Sequence, residues 1–108
     1  MTASLGGTYA GIDPTSVNRN YSVSVKSGQP RWTPVSVADY GGTQVFIEFP
    51  DGLSAMPQPV LYDVAGGDLR GAIPYSVQGR FYKTHRSFTE AELRLGSDAV
   101  RIARTASR

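Results

Sequence analysis

The residues that could carry acid–base or nucleophilic chemistry are few in this chain. Histidine occurs once, as His85, and cysteine does not occur at all. A catalytic triad would have to use His85, but the sequence has no Gly-x-Ser-x-Gly turn to place a serine beside it. We therefore interpret His85 as a surface side chain and predict that the chain has no catalytic residue.

Metal and cofactor sites have equally little support. With one histidine and no cysteine, a zinc ion would need carboxylates for most of its ligands. Asp63 and Asp68 flank a glycine pair, and Asp39 and Asp51 flank a strand-like segment. Aspartate in such places usually stabilises turns, and the glycine pairs precede no helix that could bind a phosphate. We predict neither a metal nor a cofactor.

Charge gives only a weak indication of function. The net charge is +2, and basic residues gather at the end of the chain in Arg101, Arg104 and Arg108, where they usually belong to a solvated terminus. A small β-barrel that binds nucleic acid would need basic residues and aromatic residues together on its strands. The basic residues are not concentrated there, so we expect no direct contact with nucleic acid. This barrel remains the alternative function, beside a small hydrolytic or carbohydrate-active β domain.

The elements that position side chains in this chain are strands. In residues 43–50, Val45, Ile47 and Phe49 alternate with residues that are polar except for Phe46. Since successive side chains of a strand point to opposite faces, the segment predicts a central strand with an apolar face. Phe46 is a large aromatic residue on the other face, so either a second layer of the protein or another chain should cover it.

The same alternation recurs along the chain, interrupted by glycine, proline and aspartate. These turn signals come roughly every 8–12 residues, and no long segment has a helical apolar period. We predict an all-β fold, an antiparallel β-sandwich of about eight short strands, with no helix longer than about two turns. The predicted strands cover residues 20–26, 32–38, 43–50, 60–64, 69–77, 80–84, 90–95 and 100–102.

Two of these segments carry more specific predictions. In residues 32–38, Val35 and Val37 should face inward because they are in phase along the strand. Residues 69–77 should form one strand, in which Pro74 marks an edge or a bulge because proline donates no backbone hydrogen bond.

The domain boundaries follow from composition. Residues 1–19 are rich in small and polar side chains, and we interpret them as a flexible linker or arm with too little apolar surface to order itself. Residues 20–104 should form the sandwich, and residues 105–108 should be a flexible tail.

A series of short motifs runs through residues 20–103. They are Asn20-Tyr21-x-Val23, Trp32-x-Pro34-Val35-x-Val37, Asp39-Tyr40-Gly41, Thr43-x-Val45-x-Ile47-x-Phe49-Pro50, the proline-bearing residues 57–62, Pro74-Tyr75-x-Val77-x-Gly79-x-Phe81-Tyr82 and Ala91-Glu92-Leu93-Arg94-Leu95-Gly96. In kind and order this series resembles the C-terminal domain of the TrbG/CagX family. Members of that family are components of the outer-membrane core complex of type IV secretion and conjugative transfer systems.

The resemblance implies a β-sandwich without catalytic activity, located in the periplasm and associated with the outer membrane. It implies two partners, a short outer-membrane lipoprotein and the envelope-spanning channel component, and a higher-order ring in the assembled complex. In some relatives a cysteine ties this domain to the lipoprotein. This chain has no cysteine, so the contact would be noncovalent.

The first predicted strand is the candidate binding surface for the lipoprotein. Apolar residues alternate with serine and lysine over residues 21–26, which is typical of a strand with one wet face. Such a strand, following a flexible arm, suits a sheet edge whose unpaired backbone groups can bind an extended peptide. Phe46 and Tyr82 are interpreted as surface aromatic residues near it, although a closed barrel with two buried faces would also explain them. The predicted partner-binding residues are Tyr21, Ser22, Val23, Ser24, Val25, Lys26, Phe46 and Tyr82.

Overall fold

The computed structural model describes residues 17–40, 43–50 and 58–105. These residues form ten strands and no helix, whereas the sequence predicted about eight strands. The strands are β1 (Val17–Asn18), β2 (Tyr21–Ser27), β3 (Ser36–Tyr40), β4 (Gln44–Glu48), β5 (Val60–Ala65), β6 (Asp68–Ala72), β7 (Tyr75–Gln78), β8 (Phe81–Thr84), β9 (Glu90–Leu95) and β10 (Asp98–Arg104).

The strands lie in two five-stranded sheets. The first sheet has the order β1-β3-β4-β8-β7, and the second has the order β2-β10-β9-β5-β6. All of the pairs in them are antiparallel. The chain passes directly between the sheets at both sides, from β1 to β2 through residues 19–20 and from β6 to β7 through residues 73–74. The predicted antiparallel β-sandwich is confirmed.

The main core lies between the two sheets and is centred on β4. Val45 and Ile47 of this strand are fully buried, and so is Phe49 directly after it. The alternation of residues 43–50 therefore predicted the inward face of the central strand correctly. The core consists of Trp32, Val37, Val45, Ile47, Phe49, Leu61, Ile73, Tyr82, Phe88, Ala91, Leu93, Val100 and Ile102.

Phe46 belongs to a second apolar cluster on the outer face of the first sheet. It is buried together with Ala38 and Tyr40, and Val17 and Phe81 contact the cluster. The rings of Tyr40 and Phe46 meet edge to face, with centroids 5.0 Å apart, an arrangement that aromatic pairs favour. Of the two explanations for Phe46, coverage within the chain is the one that the structure bears out.

The predicted second strand starts too early. β3 begins at Ser36, and Val35 is 62 % exposed, so the prediction that Val35 faces inward is wrong. The preceding residues form a turn instead, in which both N and Oγ1 of Thr33 donate to the carbonyl of Pro30. That turn places Trp32 in the core, which explains why a large aromatic residue precedes the strand.

Residues 69–77 form two strands rather than one. β6 belongs to the second sheet and β7 to the first, and the chain crosses between them at Ile73 and Pro74. Ile73 makes the last contact with the second sheet, donating its N–H to the carbonyl of Leu61 at 2.9 Å. Since Pro74 has no N–H to donate, pairing ends there and the chain can turn into the other sheet.

The described fold begins before the predicted boundary at residue 20. Val17 pairs with Tyr40 and Asn18 with Asp39, so these two residues are part of the first sheet and were wrongly assigned to the linker. At the other end, β10 ends at Arg104. Residues 1–16 and 106–108, and with them the rest of the predicted arm and tail, lie outside the described residues.

Thr84 ends the pairing of β4 with β8 through its side chain. Its Oγ1 accepts a hydrogen bond from N of Val45 at 3.0 Å and donates one to the carbonyl of Arg86 at 2.6 Å. Thr84→Val keeps the shape and leaves a buried N–H without its acceptor, so we expect the free energy of unfolding to fall by about 1–2 kcal/mol. Urea denaturation measures this change.

The exposed Thr89 provides the matched control for that substitution. Thr89→Val should change the free energy of unfolding by no more than about 0.5 kcal/mol. Equal losses in the two variants would mean that the buried hydrogen bonds of Thr84 contribute nothing specific.

Candidate functional site

The strand β2 is an edge of the second sheet. It pairs with β10 alone, from Tyr21 opposite Arg104 to Ser27 opposite Ala99, with one irregularity in the register between Ala99 and Val100. Its other side faces no described strand. The predicted sheet edge is therefore confirmed among the described strands, while its use by an extended peptide remains a prediction.

The two faces of β2 differ in character. Ser22 and Ser24 are exposed on the outer face, while Tyr21 and Val23 are partly buried against the core. Val25 continues the inward series but is 48 % exposed, so apolar surface extends beyond the part that the core covers. Within the described residues, the edge thus combines a side without a partner strand with a partly exposed apolar side chain.

Phe46 and Tyr82 are not surface residues, and that prediction is wrong. Tyr82 is fully buried in the first sheet, where its ring stacks on Tyr75 at 4.0 Å and its hydroxyl donates to the carbonyl of Pro59. Burial raises the pKa of the Tyr82 phenol, and the neighbouring Tyr75 adds to the effect. The register pairs Tyr82 with Ile47 of the core, so its inward direction follows from the strand pairing that the sequence alone did not provide.

Of the predicted binding residues, those at positions 21–26 lie together on one strand, whereas Phe46 and Tyr82 lie on the other sheet. For the residues of β2, the binding role remains a prediction. For Phe46 and Tyr82, a partner at the surface would first have to displace the residues that bury them.

Asp39 was interpreted as a turn residue, but it is buried inside β3. It is 1 % exposed, and its Oδ2 accepts hydrogen bonds from Nδ2 of Asn18 at 3.0 Å and from the hydroxyl of Tyr21 at 2.7 Å. Nη2 of Arg104 lies 3.9 Å from the same oxygen. Burial, together with the hydrogen bond to Asp39, raises the pKa of the Tyr21 phenol. The sequence held one signal for this site, since Asp39 is in phase with the inward Val37.

The outer face of the second sheet carries a network of charges. Oε1 of Glu92 accepts from Arg101 at 2.6 and 2.8 Å, and Oε2 accepts from Arg94 at 2.6 Å. Arg101 also contacts Glu90 at 2.9 Å. Although burial alone would raise the pKa of the Glu92 carboxyl, the hydrogen bonds from Arg101 and Arg94 hold it below its usual value. The guanidinium groups of these arginines are paired with carboxylates rather than exposed for phosphate binding. They therefore give no support to the nucleic-acid-binding barrel.

Among the described residues, no acid–base site forms around His85. Nε2 of His85 lies 3.3 Å from Oγ of Ser76, and both groups are exposed at that contact. Within the described residues, none of the ion pairs includes His85 and no group of three or more metal-ligating side chains occurs. No described carboxylate is therefore placed to orient His85 as a catalytic imidazole.

Comparison with known protein families shows which family the chain belongs to. The CagX family model, described as conjugal transfer protein, matches residues 2–105 of the chain. The chain belongs to the CagX family. The match confirms the resemblance seen in the motifs and extends it to residues 2–19, which the sequence analysis had set apart as a linker.

The family assignment supports a role in conjugation and type IV secretion. Its description names transfer and no enzymatic reaction. The comparison with curated proteins found no match. The described part of the chain contains no helix that is long and apolar enough to span a membrane.

Proposed function

We propose that this CagX-family domain is a structural, non-enzymatic component of the outer-membrane core complex of a type IV secretion system. In this role it lies in the periplasm, binds a short outer-membrane lipoprotein along β2, and contacts the envelope-spanning channel component. The observation that carries the proposal is the open edge of β2 in a domain of the conjugal transfer family.

The chemistry of β2 fits an extended peptide. Along its free side the strand offers backbone N–H and C=O groups, which a peptide strand can pair with directly. Ser22 and Ser24 leave the outer face unobstructed, and Val25 provides apolar contact at the open part of the inner face. Since the chain has no cysteine, these noncovalent contacts hold the lipoprotein.

A second partner needs a second surface, and the opposite edge of the same sheet provides one. All five residues of β6 are exposed, and β6 pairs with β5 alone. We assign the contact with the channel component, or with the next copy in a ring, to this side of the domain. With that contact at β6, the edge at β2 stays free to bind the lipoprotein.

The test uses a synthetic peptide of the lipoprotein's N-terminal segment and the isotopically labelled domain. At saturation the peptide should shift the amide signals of β2 and of its neighbour β10. Val25→Asp should weaken the affinity by about tenfold or more, because burial of a valine side chain in the complex corresponds to roughly 1.5–3 kcal/mol.

The control is Val77→Asp on β7, since Val77 is exposed to a similar extent, 42 % against 48 % for Val25, but lies at the far edge of the other sheet. It should leave the affinity unchanged. Peptide-induced shifts confined to other strands, or equal losses in both variants, would refute the assignment of the site to β2.

A further inference from the structure

The carboxylate of Asp39 joins three strands from both sheets at one point. Asn18 of β1 and Tyr21 of β2 both donate to its Oδ2, and Arg104 at the end of β10 lies beside it. We call Asn18, Tyr21, Asp39 and Arg104 the Asp39 junction. It lies where the chain leaves the first sheet and enters the second.

Asn18 has two roles in the junction. Its Nδ2 donates to Asp39, while its Oδ1 accepts from the backbone N–H of Asn20 at 3.1 Å. The second contact stabilises the turn through which the chain crosses to β2, and the carbonyl of Asn20 in turn accepts from N of Thr105 at 2.7 Å. The side chain of Asn18 therefore couples the position of β1 to the geometry of the crossing.

β1 depends strongly on these side-chain contacts. It contains two residues and pairs with β3 at two positions only, and so short a strand gains little from backbone pairing. Loss of the contact between Asn18 and Asp39 would weaken the attachment of β1, which Val17 also holds through the apolar cluster around Phe46. It would also remove a donor from the oxygen to which Tyr21 donates.

The two ends of β2 are held in different ways. At its far end Oγ of Ser27 donates to the carbonyl of Ser97 at 2.8 Å, and the following Gly28 lies against the side chain of Asp98. At its near end Tyr21 is held through the Asp39 junction and through the edge of its ring against Phe88. A disturbance of β1 therefore reaches the near end of β2 and leaves the far end fixed.

We infer that the Asp39 junction is a conformational coupling through which detachment of β1 loosens the first half of the edge strand β2. Where β2 binds a partner, as proposed above, the coupling regulates that binding. The coupling itself requires no partner, however, and is tested in the domain alone.

The experiment is amide hydrogen exchange on the whole chain, comparing Asn18→Ala with Asn20→Ala. Asn20 is the matched control because its side chain is exposed and it lies two residues away. In Asn18→Ala, the amides that bond across the near end of the β2–β10 pair, those of Ser22, Ala103 and Thr105, should exchange about tenfold faster, the effect of losing one hydrogen bond to a charged group.

Two other sets of amides decide whether the loosening is local. Exchange at residues 25–27, and in the pair of Leu61 with Leu93 in the same sheet, should stay within about twofold of the unmodified chain. Equal acceleration at all of these sites would indicate general destabilisation and overturn the inference. So would faster exchange limited to β1 and β3.

A second variant removes the hydroxyl donor of Tyr21 and keeps the ring in the core. Tyr21→Phe should produce the same exchange pattern. Because both substitutions act through one carboxylate, the exchange rates of the double variant should exceed those of either single variant by no more than about twofold. Fully multiplicative effects would mean that Asn18 and Tyr21 act separately. A lipoprotein peptide that failed to bind would refute the proposed function and leave this result intact.

Discussion

Replacement of Ile47 by alanine should lower the free energy of unfolding by about 2–5 kcal/mol. Ile47 is fully buried in β4, at the centre of the first sheet, and pairs with Val37 on one side and Tyr82 on the other. Truncation removes apolar contact from the middle of the core, where neighbouring strands are held by their pairing and can relax little into the cavity. Urea denaturation monitored by Trp32 fluorescence measures the loss.

Gln44 of the same strand is the control for that loss. Its side chain is only partly buried, so Gln44→Ala should change the free energy of unfolding by no more than about 0.5 kcal/mol. Comparable losses in the two variants would contradict the assignment of the inward face of β4.

The second large effect is expected at Glu92. Its carboxylate is 3 % exposed and contacts both Arg94 and Arg101. Glu92→Gln retains the shape and removes the charge, which leaves Arg101 only partly compensated by Glu90. We expect the free energy of unfolding to fall by about 2–3 kcal/mol at pH 7, less than for a fully buried pair because Arg94 is partly solvated.

The pH dependence of this effect has a definite sign. The folded-state pKa of Glu92 is below its usual value, so its charge stabilises the fold above the unfolded-state pKa of about 4.3. That stabilisation disappears as the pH falls through the lower, folded-state pKa. The difference between the unmodified chain and Glu92→Gln should therefore shrink as urea denaturation is repeated from pH 7 towards pH 3. A constant difference over this range would show that the charge of Glu92 is not its cause.

The parts of the fold that the sequence predicted are those where side-chain alternation and local turns agree. Val45, Ile47 and Phe49 specify the inward face of β4 without reference to any other strand, and the polar alternation along residues 21–26 indicates an edge. Both features are local, so one sequence suffices to find them.

The errors come from features that depend on long-range pairing. Residues 69–77 alternate as one strand would, and only the presence of two sheets shows that Pro74 marks a crossing. Tyr82 resembles a surface aromatic residue until its pairing with Ile47 places it in the core. Asp39 was missed because its donors are 18 and 21 residues away in sequence.

The two short crossings between the sheets make the sandwich mechanically stiff. Each contains two residues, 19–20 on one side and 73–74 on the other, so each spans at most about 11 Å over three Cα–Cα steps. The first crossing is also turned, since the N–H of Tyr21 donates to the carbonyl of Arg19 at 2.9 Å. A displacement of one sheet beyond the reach of these crossings would have to unpair the ends of the connected strands. A pull on one sheet is therefore shared with the other through covalent bonds at both sides, so the two sheets resist separation as one unit.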